Sequence, residues 1–245
     1  MKKKIFYIIY DNLKTLIGAL MIAILIRSLL FQPFYIPSSS MEPTLLVGDR
    51  IFVSKYTYGY SRHSFPFSPN FSNKRFFSKI PERGDLVVFK TPADNRTDYI
   101  KRLIGMPGDT IQFVNGNLLI NGNKVTKDEV ESNKIIRCGK FELETKSFIE
   151  TLPNGIKYLA VYKKRGTLQN TKKFIVPADH FFLLGDNRDC SKDSRYLDSV
   201  GYVNILNLVG EAQLIFFSND TKISSLLKFW NLSNSFRVER LFKIL

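Results

Sequence analysis

Residues 98 to 122, DYIKRLIGMPGDTIQFVNGNLLING, contain three short β-rich runs separated by turn residues. The runs DYIKRLIG, TIQFV and NLLING are rich in β-branched and aromatic side chains, and the MPGD between the first two is a tight-turn signal. Further runs of this kind occupy residues 49 to 56, 85 to 90, 157 to 163, 173 to 177, 180 to 186 and 209 to 217. No long amphipathic helix interrupts them, so the sequence predicts a mainly β fold of antiparallel sheets.

An apolar stretch precedes this β-rich part of the chain. Residues 13 to 31 form the best membrane-spanning window, and 19 residues at 1.5 Å each cover about 28 Å, close to the hydrocarbon core of a bilayer. Arg27 lies near the end of the window, where its long side chain can reach the interface. Because Lys2, Lys3, Lys4 and Lys14 flank the N-terminal side, the positive-inside rule predicts a cytoplasmic N-terminus and an external remainder.

Three alternatives to a membrane anchor are less consistent with this stretch. A cleaved signal peptide would have a shorter apolar region and a small-x-small cleavage site, for which the serines at 38 to 40 are the nearest candidate. A buried core helix does not account for an apolar surface on nearly all sides. An isoleucine-rich, arginine-poor start disfavours a mitochondrial presequence.

Composition excludes several classes of protein. The net charge of +14 is compatible with nucleic acid or an anionic membrane, but Lys and Arg are scattered along the chain, without a basic helix or zinc-finger spacing. We therefore expect a lipid bilayer and no nucleic acid as a partner. Two cysteines, Cys138 and Cys190, exclude a disulfide scaffold and a four-cysteine metal site. One disulfide or two free thiols remain open.

The chain divides into a cytoplasmic N-terminus at 1 to 12, a transmembrane anchor at 13 to 31, a main β domain at 32 to 122 and 173 to 217, a small inserted β subdomain at 123 to 172, and an amphipathic tail at 218 to 245. The insertion is more polar and less periodic than its surroundings. The Phe-rich segment at 59 to 80 has the composition of an extended flap that touches the membrane or a neighbour. For the tail we favour an interfacial helix over an ordinary packed helix.

The stretch FYIPSSSMEPTL at 34 to 45 contains three consecutive serines. A serine hydroxyl becomes a nucleophile only when a base removes its proton, so a catalytic role requires a base elsewhere in the chain. The histidines, His63 and His180, stand in no triad signature, and no GxSxG elbow is present.

Lys101 is an alternative base. Strand alternation places it with Tyr99 and Leu103 on one face while Arg102 points away, and burial can lower the pKa of a lysine by several units.

A strongly polar segment, GDNRDCSKDSR at 185 to 195, follows the apolar FFLL. If it is buried, its charges require mutual pairing, for example of Asp189 or Asp193 with Arg188 or Arg195. Such a network could orient a lysine.

Taken in order, FYIPSSSMEPTL, GDRIFVSKYTYG, RGDLVVF, YIKRLIGMPGD and GDNRDCSKDSR resemble the signature boxes of bacterial type I signal peptidases, the leader peptidases, from the anchor to about residue 217. The resemblance implies that Ser40 is the nucleophile and Lys101 the general base of a Ser-Lys dyad. It implies that Ser38 and the Ser40 N–H form the oxyanion hole, and that Ser191 orients the lysine beside a supporting Asp193 and Arg195 pair. The residues it assigns to shallow substrate pockets are Phe34, Ile36, Pro37, Met41, Leu45, Tyr99 and Ile100.

The resemblance also implies the reaction and the partners. A membrane-bound serine endopeptidase of this family cuts signal peptides from exported preproteins after Ala-x-Ala-like sites, at the outer face of the inner membrane and near the secretion translocon. The substrate would add as a strand between residues 34 to 38 and 99 to 101. No metal or organic cofactor is implied. Cys190 stands where asparagine is more usual in the family, and the insertion is shorter than in its longest members.

Alternatives to this assignment remain. An organellar inner-membrane peptidase would share the mechanism, whereas the microsomal form uses histidine in place of Lys101. A self-cleaving repressor-type Ser-Lys protease would carry a DNA-binding region where this chain has an anchor. A membrane-tethered β-rich binding protein would lack catalysis.

Overall fold

The structure, a computed structural model, describes residues 2–70, 72–139, 141–164, 170–219 and 236–245. Helix α1 spans Lys2–Leu29, and its segment Ile9–Leu29, with a mean hydropathy of 1.7, is long and apolar enough to cross a membrane. The helix ends two residues before the expected end of the anchor. The reason is Pro33, which disfavours helix at its own position and at the residue before it, so the chain is already extended from Phe31.

Fifteen strands follow the helix in the described residues. They are β1 (Phe31–Tyr35), β2 (Asp49–Ser54), β3 (Leu86–Lys90), β4 (Asp98–Gly105), β5 (Thr110–Val114), β6 (Asn117–Ile120), β7 (Asn123–Lys124), β8 (Thr126–Cys138), β9 (Phe141–Thr151), β10 (Lys157–Lys163), β11 (Phe174–Ile175), β12 (His180–Leu184), β13 (Val203–Asn204), β14 (Leu208–Ser218) and β15 (Lys243–Ile244). The predicted mainly β class with an N-terminal helix is confirmed.

All described strand pairs are antiparallel within three sheets. The main sheet has the order β1-β2-β14-β3-β4-β12-β13, with β15 paired to β14. The second sheet, β11-β5-β6-β7, continues from the MPGD turn, and the third, β10-β9-β8, is formed by the middle of the chain. Only the half of β4 from Arg102 to Gly105 pairs with β12. The half from Asp98 to Lys101 pairs with β3 on one side, and no described strand covers its other side.

A core cluster of the main sheet supports the segment that follows β1. Ile36, Met41 and Leu45 are buried against Ile51 and Val88, with at most 3% of each side chain exposed. Because these apolar residues flank the three serines, burying them fixes the backbone of residues 38 to 40 above the sheet. Ser39–Met41 accordingly form one turn of 3-10 helix rather than a mobile linker.

The middle of the chain contains longer strands than its composition indicates. β8 and β9 form a hairpin within residues 123 to 172, where the sequence showed little periodicity. In β9 the alternation of buried and exposed residues is clear only in its second half. The first half faces solvent, so its sequence lacks the alternation of apolar and polar residues that predicts a strand with one buried face.

The last described residues differ from the expected interfacial helix. Val238–Arg240 form a 3-10 helix, and β15 adds to the main sheet beside Leu214 and Ile215. Arg240 is buried and pairs with Asp49 at 2.5 Å, which fixes this end of the chain to the start of β2. Residues 220 to 235, which carry most of the predicted amphipathic tail, lie outside the described residues.

Candidate active site

Ser40 and Lys101 meet at the open half of β4. Ser40 lies in the 3-10 turn after β1, and Lys101 lies on β4 beside the edge that no described strand covers. Lys101 Nζ is 2.7 Å from Ser40 Oγ, and its other hydrogen bond is to the Ile100 carbonyl oxygen at 2.9 Å. The two residues are 61 positions apart in the sequence, so the fold alone brings them together.

Burial alters the basicity of Lys101. Only 2% of the residue is exposed, and the pKa of its amine is lowered to about 8 with desolvation as the largest cause. Within that net shift the charges of Asp193 and Asp186 raise the pKa, and the charge of Arg195 lowers it. A lysine that titrates near 8 is about one tenth neutral at pH 7, far more than an ordinary lysine, and only the neutral amine can accept a proton.

The three serines have different surroundings. Ser38 is exposed at the mouth of the site in an extended conformation, and its Oγ is 3.3 Å from Ser40 Oγ. Ser39 is buried and points away, with its Oγ 3.5 Å from Cys190 Sγ. Of the three serines, Ser40 alone is hydrogen-bonded to the Lys101 amine in the described residues.

Neither histidine takes part in this arrangement. His63 Nδ1 is 3.0 Å from Ser68 Oγ, and His180 Nδ1 is 2.7 Å from the Ala178 carbonyl oxygen. No hydrogen bond joins either ring to Ser40 in the part of the chain that the structure describes. This agrees with the absence of a triad signature in the sequence.

The polar segment at 185 to 195 is buried and internally paired. Arg195 contacts Asp193 through two hydrogen bonds of 2.8 Å, and Asp193 also accepts the Gly185 N–H at 3.1 Å. Burial alone would raise the pKa of Asp193, but the charge and hydrogen bonds of Arg195 outweigh it and the pKa is lowered. Asp193 therefore remains a carboxylate near Lys101.

Ser191 does not make the contact that the resemblance implies. The residue is 4% exposed, and no hydrogen bond joins its Oγ to Lys101 in the described residues. Its hydroxyl lies beside Asp193 and, after Arg195 and the Gly185 N–H, helps to lower the pKa of that carboxyl. It sits close against Gly185, whose place no larger residue could take, since an added Cβ would lie 2.2 Å from Ser191 Oγ. The orienting role of Ser191 stays a prediction.

Sequence reasoning missed two residues that hold the segment around Ser40 in place. Asn187 donates from its backbone N–H to the Ser40 carbonyl oxygen at 3.1 Å and from Nδ2 to the Ser39 carbonyl oxygen at 3.1 Å. Asp186 forms a buried bidentate pair with Arg102 at 2.8 and 2.7 Å, and it accepts a hydrogen bond from Thr44 Oγ1 at 2.5 Å. Both residues lie in the GDNRDC segment. The many polar groups that follow the apolar FFLL indicated a buried polar network there, but not which residues contact the Ser40 segment.

A cavity of about 440 Å³ opens beside the Ser40–Lys101 pair. Its two long walls are residues 34 to 38, from β1 onward, and residues 97 to 101 of the uncovered half of β4. Six of the seven residues expected to bind substrate line it, namely Phe34, Ile36, Pro37, Met41, Tyr99 and Ile100. Leu45 does not line the cavity but lies in the core below it, fully buried.

A disulfide ties the inserted hairpin to this site. Cys138, at the end of β8, is bonded to Cys190, which lines the cavity next to Ser191. The sequence left open whether these cysteines pair. The bridge closes a sequence separation of 52 residues and holds the tip of the hairpin beside the turn that carries Ser40.

We expect Cys138→Ser to destabilise the β-rich part of the chain. A covalent loop of this length restricts the unfolded chain, which corresponds to about 4 kcal/mol of unfolding free energy. Thermal unfolding of the purified protein measures the change. Cys190→Ser and the double variant are expected to lose the same amount as Cys138→Ser, because each removes one and the same bond. A double variant twice as destabilised as the single variants would contradict the pairing.

A hydroxyl in contact with a buried amine, at the edge of an open strand-shaped cleft, defines the chemistry of a serine hydrolase that acts on an extended chain. The comparisons with known proteins agree with this class. Residues 9–217 match the family described as signal peptidase, peptidase S26.

Individual relatives cover nearly the whole chain. Signal peptidase I of Rickettsia typhi is 42% identical over 243 residues, which are 91% of this chain and 88% of the relative. Signal peptidase I of Rickettsia canadensis is 43% identical over 243 residues with the same coverage. A crystal structure of a signal peptidase I from Enterococcus faecalis V583 is 28% identical and covers 54% of this chain and 97% of its own, with a TM-score of 0.34. The chain therefore belongs to the signal peptidase family, peptidase S26, and is a serine peptidase.

Proposed function

We propose that this chain is a membrane-anchored endopeptidase that removes signal peptides from exported preproteins with a Ser40–Lys101 dyad. The observation that carries the proposal is the 2.7 Å contact between Ser40 Oγ and Lys101 Nζ at the base of the cleft. Membership of the signal peptidase family supports the substrate class. The test is cleavage of a preprotein by the full chain in detergent, with the product masses giving the cut site.

The reaction divides into acylation and deacylation. The neutral Lys101 amine takes the Ser40 hydroxyl proton while Ser40 Oγ attacks the scissile carbonyl carbon. The resulting oxyanion accepts hydrogen bonds from the Ser38 hydroxyl and the Ser40 N–H. As the peptide C–N bond breaks, the Lys101 ammonium returns the proton to the leaving amine. Water then hydrolyses the acyl ester, with Lys101 acting as base again.

The uncovered half of β4 supports binding of the substrate as an added strand. A peptide between residues 34 to 38 and 97 to 101 would hydrogen-bond to free backbone groups of β4, as in other cases of strand addition. Apolar side chains such as Phe34, Met41 and Ile100 line the cleft, and shallow apolar pockets suit small side chains. The preference expected from this is for Ala-x-Ala-like sequences before the cut.

The proposed setting is the inner membrane, with one span and the β-rich part outside. α1 supplies an apolar segment of sufficient length, and the lysines before it favour a cytoplasmic N-terminus. The Cys138–Cys190 disulfide supports this orientation, because disulfides persist in oxidising compartments and are rare in the cytosol. The outer face is also where a signal peptide leaves the secretion translocon, the neighbour that we propose.

Ser38→Ala is expected to lower kcat by about 10² to 10³, with KM changed little, because an oxyanion-hole donor acts mainly in the transition state. Steady-state cleavage of a preprotein measures both constants. Ser39→Ala is the matched control, since Ser39 Oγ faces Cys190 rather than Ser40. Equal losses of kcat in the two variants would show that Ser38 is not an oxyanion-hole donor.

A further inference from the structure

A second cavity, of about 480 Å³, lies where α1 meets the β-rich part of the chain. Arg27, in the last turn of α1, and Gln32, in β1, form one side of it. Two hydrogen bonds fix the end of the helix here, from Lys55 N to the Leu30 carbonyl oxygen and from Tyr60 Oη to the Leu29 carbonyl oxygen, both at 2.9 Å. If α1 spans the bilayer, as proposed above, the cavity lies at the level of the lipid headgroups.

Cations outnumber anions in this cavity. Its lining includes Arg27, Arg62, Lys90 and Arg96, against the two carboxylates Asp94 and Asp98. Lys90 is neutralised by Asp98 at 2.9 Å. Asp94 accepts hydrogen bonds from the backbone N–H groups of residues 96 and 97 and from Thr97 Oγ1 at 2.5 Å, which leaves it less able to bind a side-chain cation.

Three guanidinium groups in this cavity form no ion pair with a carboxylate in the described residues. They belong to Arg27, Arg62 and Arg96, and Arg62 makes contacts of 3.3 Å with Asn70 Oδ1 and His63 Nε2. Arg96 lies near enough to Asp94 for their charges to interact. Guanidinium groups are suited to bidentate hydrogen bonding with phosphate oxygens. The cavity therefore has more guanidinium donors than carboxylates to pair with them.

The titration of neighbouring groups is consistent with excess positive charge. The pKa of His63 is lowered to about 4, chiefly by burial and next by the charges of Arg62, Lys90 and Arg75. The pKa of Lys55 is lowered to about 8, chiefly by burial and next by the charge of Arg27, while Asp98 acts in the opposite direction. Cavity-lining cations thus contribute to both shifts, although burial is the larger cause.

An apolar side chain completes the lining. Phe67 borders the cavity and is fully exposed, in a positive-φ conformation (64°) that a non-glycine residue rarely adopts. Phe77 and Ile80 of the same Phe-rich segment are 85% and 71% exposed. Exposed apolar side chains beside a basic cavity match an amphipathic ligand, with a phosphate on one side and acyl chains on the other.

We propose that this cavity binds the phosphate group of an anionic glycerophospholipid, with Arg27, Arg62 and Arg96 as its donors and Phe67 in the acyl-chain region. Asp98 borders both this cavity and the substrate cleft. A lipid held here would fix the height of the cleft relative to the bilayer surface, where signal peptides are presented. The proposal rests on α1 being the membrane anchor.

Binding of short-chain phosphatidylglycerol to the full chain in neutral detergent tests the proposal, with short-chain phosphatidylcholine and inorganic phosphate as the other two ligands. We expect phosphatidylglycerol to bind most tightly. The double variant Arg62→Gln/Arg96→Gln is expected to weaken its binding roughly thirtyfold, the loss for two cations near a membrane surface. The control Lys124→Gln/Lys173→Gln removes the same charge from two exposed positions at the second sheet that do not line the cavity, and it is expected to leave binding unchanged.

Two further measurements separate the outcomes. Phe67→Ser is expected to weaken phosphatidylglycerol binding but not phosphate binding. Arg96→Gln alone changes an exposed side chain, so a loss of binding in this variant with an unchanged Tm excludes misfolding as the cause. Equal affinity for both lipids, equal losses in the two double variants, or phosphate binding as tight as the lipid would overturn the proposal. The readout does not involve cleavage, so its failure leaves the proposed peptidase activity intact.

Discussion

Ser40→Ala is expected to reduce the rate of preprotein cleavage by roughly 10⁶, the loss seen when a serine protease loses its nucleophile. The hydroxyl is the only group of Ser40 that contacts Lys101, at 2.7 Å, and alanine provides no atom to form the acyl ester. The backbone of the turn is held by Asn187 and by burial of Met41, neither of which needs the hydroxyl. Single-turnover cleavage with excess enzyme measures the loss without interference from product release.

Ser39→Ala is the matched control for this substitution. It removes the same atom from the adjacent residue, and its expected effect on cleavage is small because Ser39 Oγ faces Cys190 Sγ. Substrate binding should persist in Ser40→Ala, since the cleft walls are unchanged. Substantial cleavage by Ser40→Ala, or a comparable loss in Ser39→Ala, would assign the chemistry to another group.

Lys101→Met is expected to abolish cleavage to a similar degree. Methionine keeps the length and apolar stem of the side chain but has no group that accepts a proton. The charged amine of Lys101 is disfavoured by burial, as its lowered pKa indicates, so the native lysine costs stability at neutral pH. We therefore expect the Tm of Lys101→Met to be equal to or above that of the unaltered protein. A loss of cleavage with an undiminished Tm separates a catalytic role from a structural one.

The pH dependence of the unaltered protein follows from the same residue. Below the pKa of about 8 the Lys101 amine is protonated and cannot take the Ser40 proton, so kcat/KM is expected to rise with pH through about 8. His63 and His180 contribute no step, and substitution of either by alanine should leave this profile in place. A profile that rises near pH 6.5, as for an ordinary histidine base, would contradict the assignment of Lys101.

The sequence was most informative where periodicity and motif agree. The run DYIKRLIG is a strand with the predicted bounds, and its alternation correctly separated Lys101 from Arg102. Arg102, however, does not point into solvent. It is 6% exposed and paired with Asp186, a contact between residues 84 positions apart that strand alternation cannot indicate.

The missed features depend on long-range packing. The first half of β9 is exposed and shows no alternation, so the sequence predicted a small β subdomain here but not the length of its hairpin. The pairing of Cys138 with Cys190 requires the hairpin to fold back toward the nucleophile, and two cysteines alone do not reveal that path. A motif can also place a residue correctly along the chain without indicating where its side chain points. Leu45 was expected to line the cleft, but its side chain lies in the core.

The Ser40–Lys101 dyad is tested most directly by the rate at which a serine-reactive acylating inhibitor labels the full chain as a function of pH, with the adduct located by peptide mass mapping. We expect one adduct, on Ser40, whose rate of formation rises with pH through about 8. In Lys101→Met the rate of formation is expected to fall by orders of magnitude. An adduct on another residue, or an unchanged labelling rate in Lys101→Met, would contradict it.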